Sequence, residues 1–452
     1  MVQQMTHMQH ARAVLALGVP LIIIHLAQFS IHMVDTLMVG WHSVEELAAL
    51  VLAGSFWFTI FIVLSGFGFA LMPMVATAAA SNDEVEIRRA TRMAMWLSIL
   101  SAIVFMPPMY WAEQILLAIG QDAEVSQLAG AYLKIAGWGM IPALMVGVFK
   151  SYFSALERTQ FILWMIIAAV FLNGVLNYAL IFGNWGMPEL GVRGAAIASV
   201  AVNTFLMLVL CVYAYLAMPQ HALFQRVWRP DWTAFARVFQ LGWPIGITSL
   251  AEVGLFVGAA VYVGWIGTNE LAAHGIALQI ASATFMVHIG ISSAATVRAG
   301  RAVGRMDEDG LRRGGLVATV ISAMFVLATV FVFYLFGEAL AGLFVDPNDP
   351  LRPEIIAIAS ILILFAAAFQ AADAGQVMAL GLLRGVQDTR VPMIMAAVSY
   401  WAVAMPAGYV LGFPMGYGVY GVWSGLVIGL AVAWVLMTIR FWGRSVKIGQ
   451  AA

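Results

Sequence analysis

The chain of 452 residues is 63% hydrophobic and only 10% charged, with a net charge of −1. A water-soluble protein carries about 25% charged residues, so this chain is solvated by lipid, and its mean hydropathy of +0.92 agrees. The absence of a basic excess excludes nucleic-acid binding, the lone Cys211 excludes an internal disulfide or a cysteine zinc site, and 12% aromatic residues exclude disorder.

The first ten residues are polar and lead to no short apolar core with a cleavage site, so no removable signal is expected. A bilayer core of about 30 Å takes roughly 20 apolar residues as a helix. Such runs lie at 13–39, 47–72, 93–112, 128–152, 160–183, 193–217, 238–264, 271–296, 315–337, 355–382, 392–413 and 417–441. Turn or charge signals separate them, among them Ser81-Asn82-Asp83, Pro188-Glu189, Pro230-Asp231, Arg305 to Arg313, Asp346-Pro347-Asn348-Asp349-Pro350 and Gln387-Asp388-Thr389-Arg390. The runs lack the two-residue alternation of a barrel, so they are helices. The expected fold is an all-α polytopic membrane protein with twelve transmembrane helices. Most basic residues fall at alternate connections and at the C-terminus, while Lys134, Arg193 and Arg352 fall opposite them. The positive-inside rule then puts both termini in the cytoplasm, which requires an even number of spans.

The chain is written twice. Leu17-Gly18-Val19-Pro20 aligns with Leu241-Gly242-Trp243-Pro244, an offset of 224 (241 − 17). In the same register Val39-Gly40-Trp41 meets Val263-Gly264-Trp265, and Glu46-Leu47-Ala48-Ala49 meets Glu270-Leu271-Ala272-Ala273. Two copies of six helices predict an N-lobe at 1–217, a cytoplasmic linker loop at 218–237 and a C-lobe at 238–452. The two pseudo-symmetric lobes are expected to surround a central cavity, which is a transporter's architecture.

Three carboxylates, Asp35, Glu252 and Asp373, fall deep in spans, where a charge costs about 2.5–3.5 kcal/mol on insertion scales. His25, Gln28, His32 and Asp35 are spaced by three, four and three, which is one helix face. Asn173 and Asn177 are four apart, and Gln370, Asp373 and Gln376 share one side of the tenth span. The amides serve either as glue between helices or as part of a site. Gln28, His32, Gln370 and Gln376 are candidate substrate-cavity residues. No Lys or Arg is expected within a span near the three acids, so a proton, Na⁺ or a cationic substrate must neutralise them. Carboxylate oxygens with Asn carbonyls suit Na⁺ as a hard cation, and a buried carboxyl can equally carry a proton from one face to the other.

Two apparent motifs fail on context. Gly416-Tyr417-Gly418-Val419-Tyr420-Gly421 has dinucleotide-loop spacing but opens a membrane span. Gly254 and Gly258 form a G-x-x-x-G that reads as close helix packing. No P-loop occurs, so ATP does not drive the chain directly, and no cofactor is expected beyond a coupling ion.

Together, Leu17 to Pro20, Met33-Val34-Asp35-Thr36-Leu37-Met38-Val39-Gly40 and Leu382-Leu383-Arg384-Gly385-Val386-Gln387-Asp388-Thr389-Arg390-Val391-Pro392 resemble the multidrug and toxic compound extrusion (MATE) family, in its NorM-type bacterial branch. The resemblance covers nearly the whole chain. It implies a non-enzymatic, two-lobed exporter of organic, mostly cationic and amphipathic compounds, working by alternating access against inward Na⁺ or H⁺. It also implies a bacterial inner membrane and a monomer without an obligate protein partner. By the same resemblance Asp35, Asn173 and Asn177 match an N-lobe cation site, Ser199 stands where Thr is common, and Glu252 with Asp373 match the C-lobe acids. Phe369, four before Asp373, stands where some Na⁺-coupled relatives have Tyr, which removes one hydroxyl from a C-lobe Na⁺ site. Two other readings are a lipid-linked precursor flippase, which would need cavity bases to hold a phosphate, and an intramembrane enzyme, for which His25, His32 and Asp35 find no matching ligands on another helix.

Overall fold

The computed structural model describes residues 5–347 and 350–448, and that part is almost wholly helical. Asn348 and Asp349 of the expected 346–350 turn lie outside the described residues. Among the described residues eleven helices are long and apolar enough to cross a membrane, and twelve result if one bent pair is a single span. The first sequence copy forms α1 (His7–His42), α2 (Val44–Leu64), α3 (Gly66–Ala80), α4 (Glu84–Tyr110), α5 (Ala112–Ala118), α6 (Ala123–Ala136), α7 (Met140–Ala155), α8 (Thr159–Phe182) and α9 (Val192–Ala217). The second forms α10 (Trp232–Ile266), α11 (Thr268–Gly304), α12 (Glu308–Gly342), α13 (Arg352–Gly385), α14 (Arg390–Ala397), α15 (Met405–Gly412) and α16 (Gly418–Arg440).

The expected spans map onto these helices with three interior breaks, the first at Ser65, which parts the 47–72 run into α2 and α3. The 128–152 run is α6 and α7, bent by 53° across Gly137-Trp138-Gly139. Glycine holds a helix weakly, and Gly139 lies so close to Val200 that a Cβ there would meet its side chain. The 392–413 run is interrupted by a widened π turn at Val398–Ala404, between α14 and α15.

Backbone conformation carries the duplication further than composition does. Asn82 and Met306, 224 apart (306 − 82), both take left-handed φ, at 57° and 54°. The residues after them, Asp83 and Asp307, cap α4 and α12, accepting from the backbone N–H of Glu86 at 2.9 Å and of Gly310 at 2.8 Å. Glu157 and Gln387 are a second left-handed pair, at 58° and 62°. Their offset is 230 (387 − 157), so the second copy has gained six residues in between.

Contacts group the chain into two compact units, one running from Ile23 to Gly246 and the other joining residues up to Ile22 with Ile247 onward. The boundaries fall two residues after Pro20 in α1 and two after Pro244 in α10, equivalent positions at the offset of 224 (246 − 22). Glycine permits the close packing that assigns the first turns of these helices. Gly18 approaches Ala294, and Gly290 approaches Ile22, in one unit; Gly66 packs on Gly242 and Gly246 in the other.

The 218–231 segment is bound to the Ile23–Gly246 unit. Arg92 donates to the carbonyls of Leu223 at 2.8 Å and Ala222 at 2.6 Å. Trp96 Nε1 donates to the Val227 carbonyl at 2.9 Å, Arg89 pairs with Asp231, and Arg237 pairs with Glu86 at 2.8 Å. The Tyr152 hydroxyl meets Nδ1 of buried His221.

Candidate functional site

In the Ile23–Gly246 unit, Asp35 comes from the face of α1 that the three-and-four spacing marked, and it is 5% exposed. Its Oδ1 accepts from Asn173 Nδ2 at 2.9 Å and from Asn177 Nδ2 at 2.6 Å. Its Oδ2 accepts from Ser199 Oγ at 3.0 Å. Asn173 and Asn177 are fully buried, one turn apart on α8, so one helix face presents both amides, while Ser199 arrives from α9. Asn177 Nδ2 also reaches Asn173 Oδ1 at 3.3 Å, which fixes the amide orientation, and Asn177 Oδ1 is left without a hydrogen-bond partner. All three donors to Asp35 are neutral. They hold the carboxylate in place and leave its charge uncompensated, which is costly away from water. His32, one turn earlier on α1, and Tyr132 of α6 lie within electrostatic reach of Asp35.

The second cluster lies in the other unit. Glu252 of α10 and Asp373 of α13 interact electrostatically, and each has one buried oxygen, Oε1 and Oδ1, without a hydrogen-bond partner. Two like charges so placed repel, and a shared proton or cation relieves them. Gln376, one turn after Asp373, is fully buried with both amide atoms unpartnered. Gln370 is also fully buried, but its Oε1 accepts from Thr284 at 2.9 Å. Phe369 packs edge-on to Phe256 and Trp423, with ring centroids 5.9 and 5.6 Å away, and so adds an apolar wall.

One expectation needs correction. Arg384 is half-buried and within electrostatic reach of Glu252, although among the described residues the two form no ion pair. Lys150 is 8% exposed, and its Nζ donates to Gln28 Oε1 at 3.0 Å. The bases therefore do enter the helical bodies. For Arg384 the physical reason is helix length, because α13 runs to Gly385, past the expected end at 382, whereas Lys150 already fell inside the expected 128–152 span. Gln28 is accordingly tied to Lys150, while His32 is exposed and one turn from Asp35. Tyr132, Tyr400, Arg384 and Lys150 all stand near the candidate residues without having been singled out. Arg384 could have been found as a base just past an expected helix end, whereas Lys150 and the two tyrosines fell within expected spans with no pattern to mark them. Among the described residues no group of three or more His, Cys, Asp or Glu side chains could hold a metal ion, so the oxygen donors of both clusters are carboxyls joined by amides and hydroxyls.

In sequence and in fold the chain is similar to known proteins. The sequence model of the MatE family matches residues 20–179 and 244–410, two segments that begin 224 residues apart (244 − 20). A probable multidrug resistance protein NorM of Rhizobium meliloti is 45% identical over 98% of this chain and 95% of its own length. One from Agrobacterium fabrum is 44% identical over 96% of this chain and 93% of its own length. Among solved structures, a MATE protein in the bent conformation superposes with a TM-score of 0.88 at 19% identity over 100% of both chains. The eukaryotic MATE transporter AtDTX14 gives 0.86 at 18% identity over 98% of this chain and 97% of its own.

Proposed function

The chain belongs to the MatE family of multi-pass membrane transporters, and from that premise we propose that it is a secondary multidrug exporter, exchanging organic, mostly cationic and amphipathic compounds for inward Na⁺ or H⁺. The observation that carries the coupling is that each unit holds buried carboxyl groups without an ion-paired base: Asp35 among neutral donors, and Glu252 beside Asp373. Asp35, Asn173, Asn177 and Ser199 form one cation or proton site, and Glu252 with Asp373 the other. The relatives' names, which refer to multidrug resistance, support the substrate class.

In this reading the transporter works by alternating access. Inward cation binding at the acids favours the inward-facing form, and drug uptake drives the return as the cation leaves. Antiport requires the two ligands to disfavour each other by the same coupling energy. The same reading takes the transporter to work as a monomer in a bacterial inner membrane with both termini cytoplasmic, which the bacterial relatives and the distribution of basic residues support. One cation exchanged for one monovalent cationic drug moves no net charge, so the membrane potential would contribute nothing. Two cations per drug would recover about 2.3 kcal/mol per 100 mV. A phosphate-holding flippase is not favoured, since the bases Lys150 and Arg384 face Gln28 and Glu252.

Flux of a fluorescent organic cation such as ethidium in proteoliposomes tests the reading, with Na⁺ and pH gradients imposed separately. Export should follow at least one gradient and fall at least about tenfold, the effect of losing about 1.4 kcal/mol of coupling, in Asp35→Asn or Glu252→Gln. Export indifferent to both gradients and to both substitutions would defeat it.

A further inference from the structure

The widened turn at Val398–Ala404 brings a side chain to the Glu252/Asp373 pair that no expectation assigned. Tyr400 is fully buried, and among the described residues its hydroxyl meets only the Gln376 amide, without the geometry of a good hydrogen bond. It lies within electrostatic reach of Glu252, Asp373 and Arg384 together. A hydroxyl loses its water on burial and recovers that cost only when it is bonded, so a phenol among three ionisable groups, with two orphaned carboxyl oxygens nearby, is an incomplete coordination set.

The turn itself is braced from two sides. On α16, a Cβ at Gly425 would collide with the backbone of Gly408, and one at Gly429 with Ala404. On α10, Trp401 lies over Gly254 and Met405 over Gly258, the pair whose spacing predicted close packing. Trp401, the residue after Tyr400, thus anchors the turn on α10, the helix that carries Glu252. π turns add one residue to the helical ladder and recur at functional sites. Here the added residue changes which side chain the span turns toward α10 and α13.

We infer that Tyr400 is a positioning residue of the Glu252/Asp373 site, its hydroxyl supplying the oxygen that completes the shell around the coupling cation or hydrogen-bonds the protonated pair. The inference rests on the antiport reading and extends it, since Phe369 offers no hydroxyl on the opposite side. The hydroxyl is both donor and acceptor, so it serves a bound cation through its lone pair and a protonated pair through either role.

The test is the ion dependence of ethidium efflux from proteoliposomes containing the full chain, with Na⁺ varied at fixed pH and pH varied without Na⁺. Tyr400→Phe keeps the ring and removes the hydroxyl. It should raise the half-saturating concentration of the driving ion about tenfold, as expected for losing one hydrogen bond to a charged group, while the maximal rate falls less than about threefold. Ser399→Ala, in the same turn, should leave half-saturation within about twofold. Half-saturation unmoved in Tyr400→Phe, or moved equally by Ser399→Ala, overturns the role of the hydroxyl. Where Glu252→Gln abolishes ion dependence but Tyr400→Phe leaves it intact, the antiport reading survives and this inference does not. Wild-type efflux indifferent to both ions would overturn both.

Discussion

At the scale of single residues, the two acidic sites differ in how their charge is held. Asp35 is surrounded by three neutral donors, which fix its position and leave its charge to be met by a ligand. Replacing Asn177 by Ala should therefore misplace Asp35 and raise half-saturation by the driving ion by about fivefold, the value of one ordinary hydrogen bond. Flux titration measures this, and an unchanged half-saturation would remove Asn177 from the site. Lys150 is a different case. It is a buried base whose only described partner is the neutral amide of Gln28, and burying a charge without a counter-charge is costly. Lys150→Met keeps the stem volume, so thermal melting in detergent should show a variant at least as stable as the parent. A melting point several degrees lower would mean that the ammonium makes a stabilising interaction the geometry does not reveal. The sequence exposed Asp35 and the asparagines through their three-and-four spacing, because a helix face repeats at that interval. It hid Arg384, because a base just past an expected helix end reads as part of a loop until the helix length is known.

At the scale of elements, the 218–231 segment is fastened to α4 by Arg92, Trp96 and Arg89 rather than hanging free. Arg92→Ala removes two bonds to the carbonyls of Ala222 and Leu223, and it should open this segment to limited proteolysis several-fold faster than in the parent. Equal cleavage rates would show that the remaining bonds suffice. Acid should loosen the same strap. Burial lowers the pKa of His221, with Arg88 also lowering it and Glu84 opposing, while Arg89 holds the Asp231 carboxyl below its usual range. A histidine whose docked form resists protonation costs nothing above its free value near 6.5. Below that pH the released segment takes up a proton that the docked one refuses, so docking weakens as pH falls. The Asp231 contribution has the same sign and is lost at still lower pH. Protection of the 218–231 amides, taken relative to the intrinsic exchange rate at each pH, should therefore fall from pH 7 to pH 5, and protection that rises would contradict the assignment. The spans were legible because apolar runs of membrane length leave little choice. The π turn at Val398–Ala404 was not, because it depends on glycines of α10 and α16 that meet it only in the folded bundle.

At the scale of the whole molecule, duplication is the organising fact, and it is legible at every level. Gly, Pro, Trp and Glu align at an offset of 224, the caps at Asp83 and Asp307 repeat it, and the boundaries of the compact units fall on equivalent residues. What the copies do not share is their acid chemistry: one carboxyl held by amides and a hydroxyl, against two carboxyls with a phenol and a guanidinium nearby. That asymmetry gives three acids over two sites, enough for more than one cation per cycle. The central claim is that the drug and the coupling cation bind at one another's expense. Equilibrium binding of tetraphenylphosphonium to the purified protein, titrated with and without saturating Na⁺ and again at acid and alkaline pH, measures this directly. The account predicts that one of these ions weakens the affinity about tenfold or more, that the organic cation weakens the ion by the same factor, and that Glu252→Gln or Asp35→Asn shrinks the effect. Affinities indifferent to both ions, in the parent and in the variants alike, would contradict it.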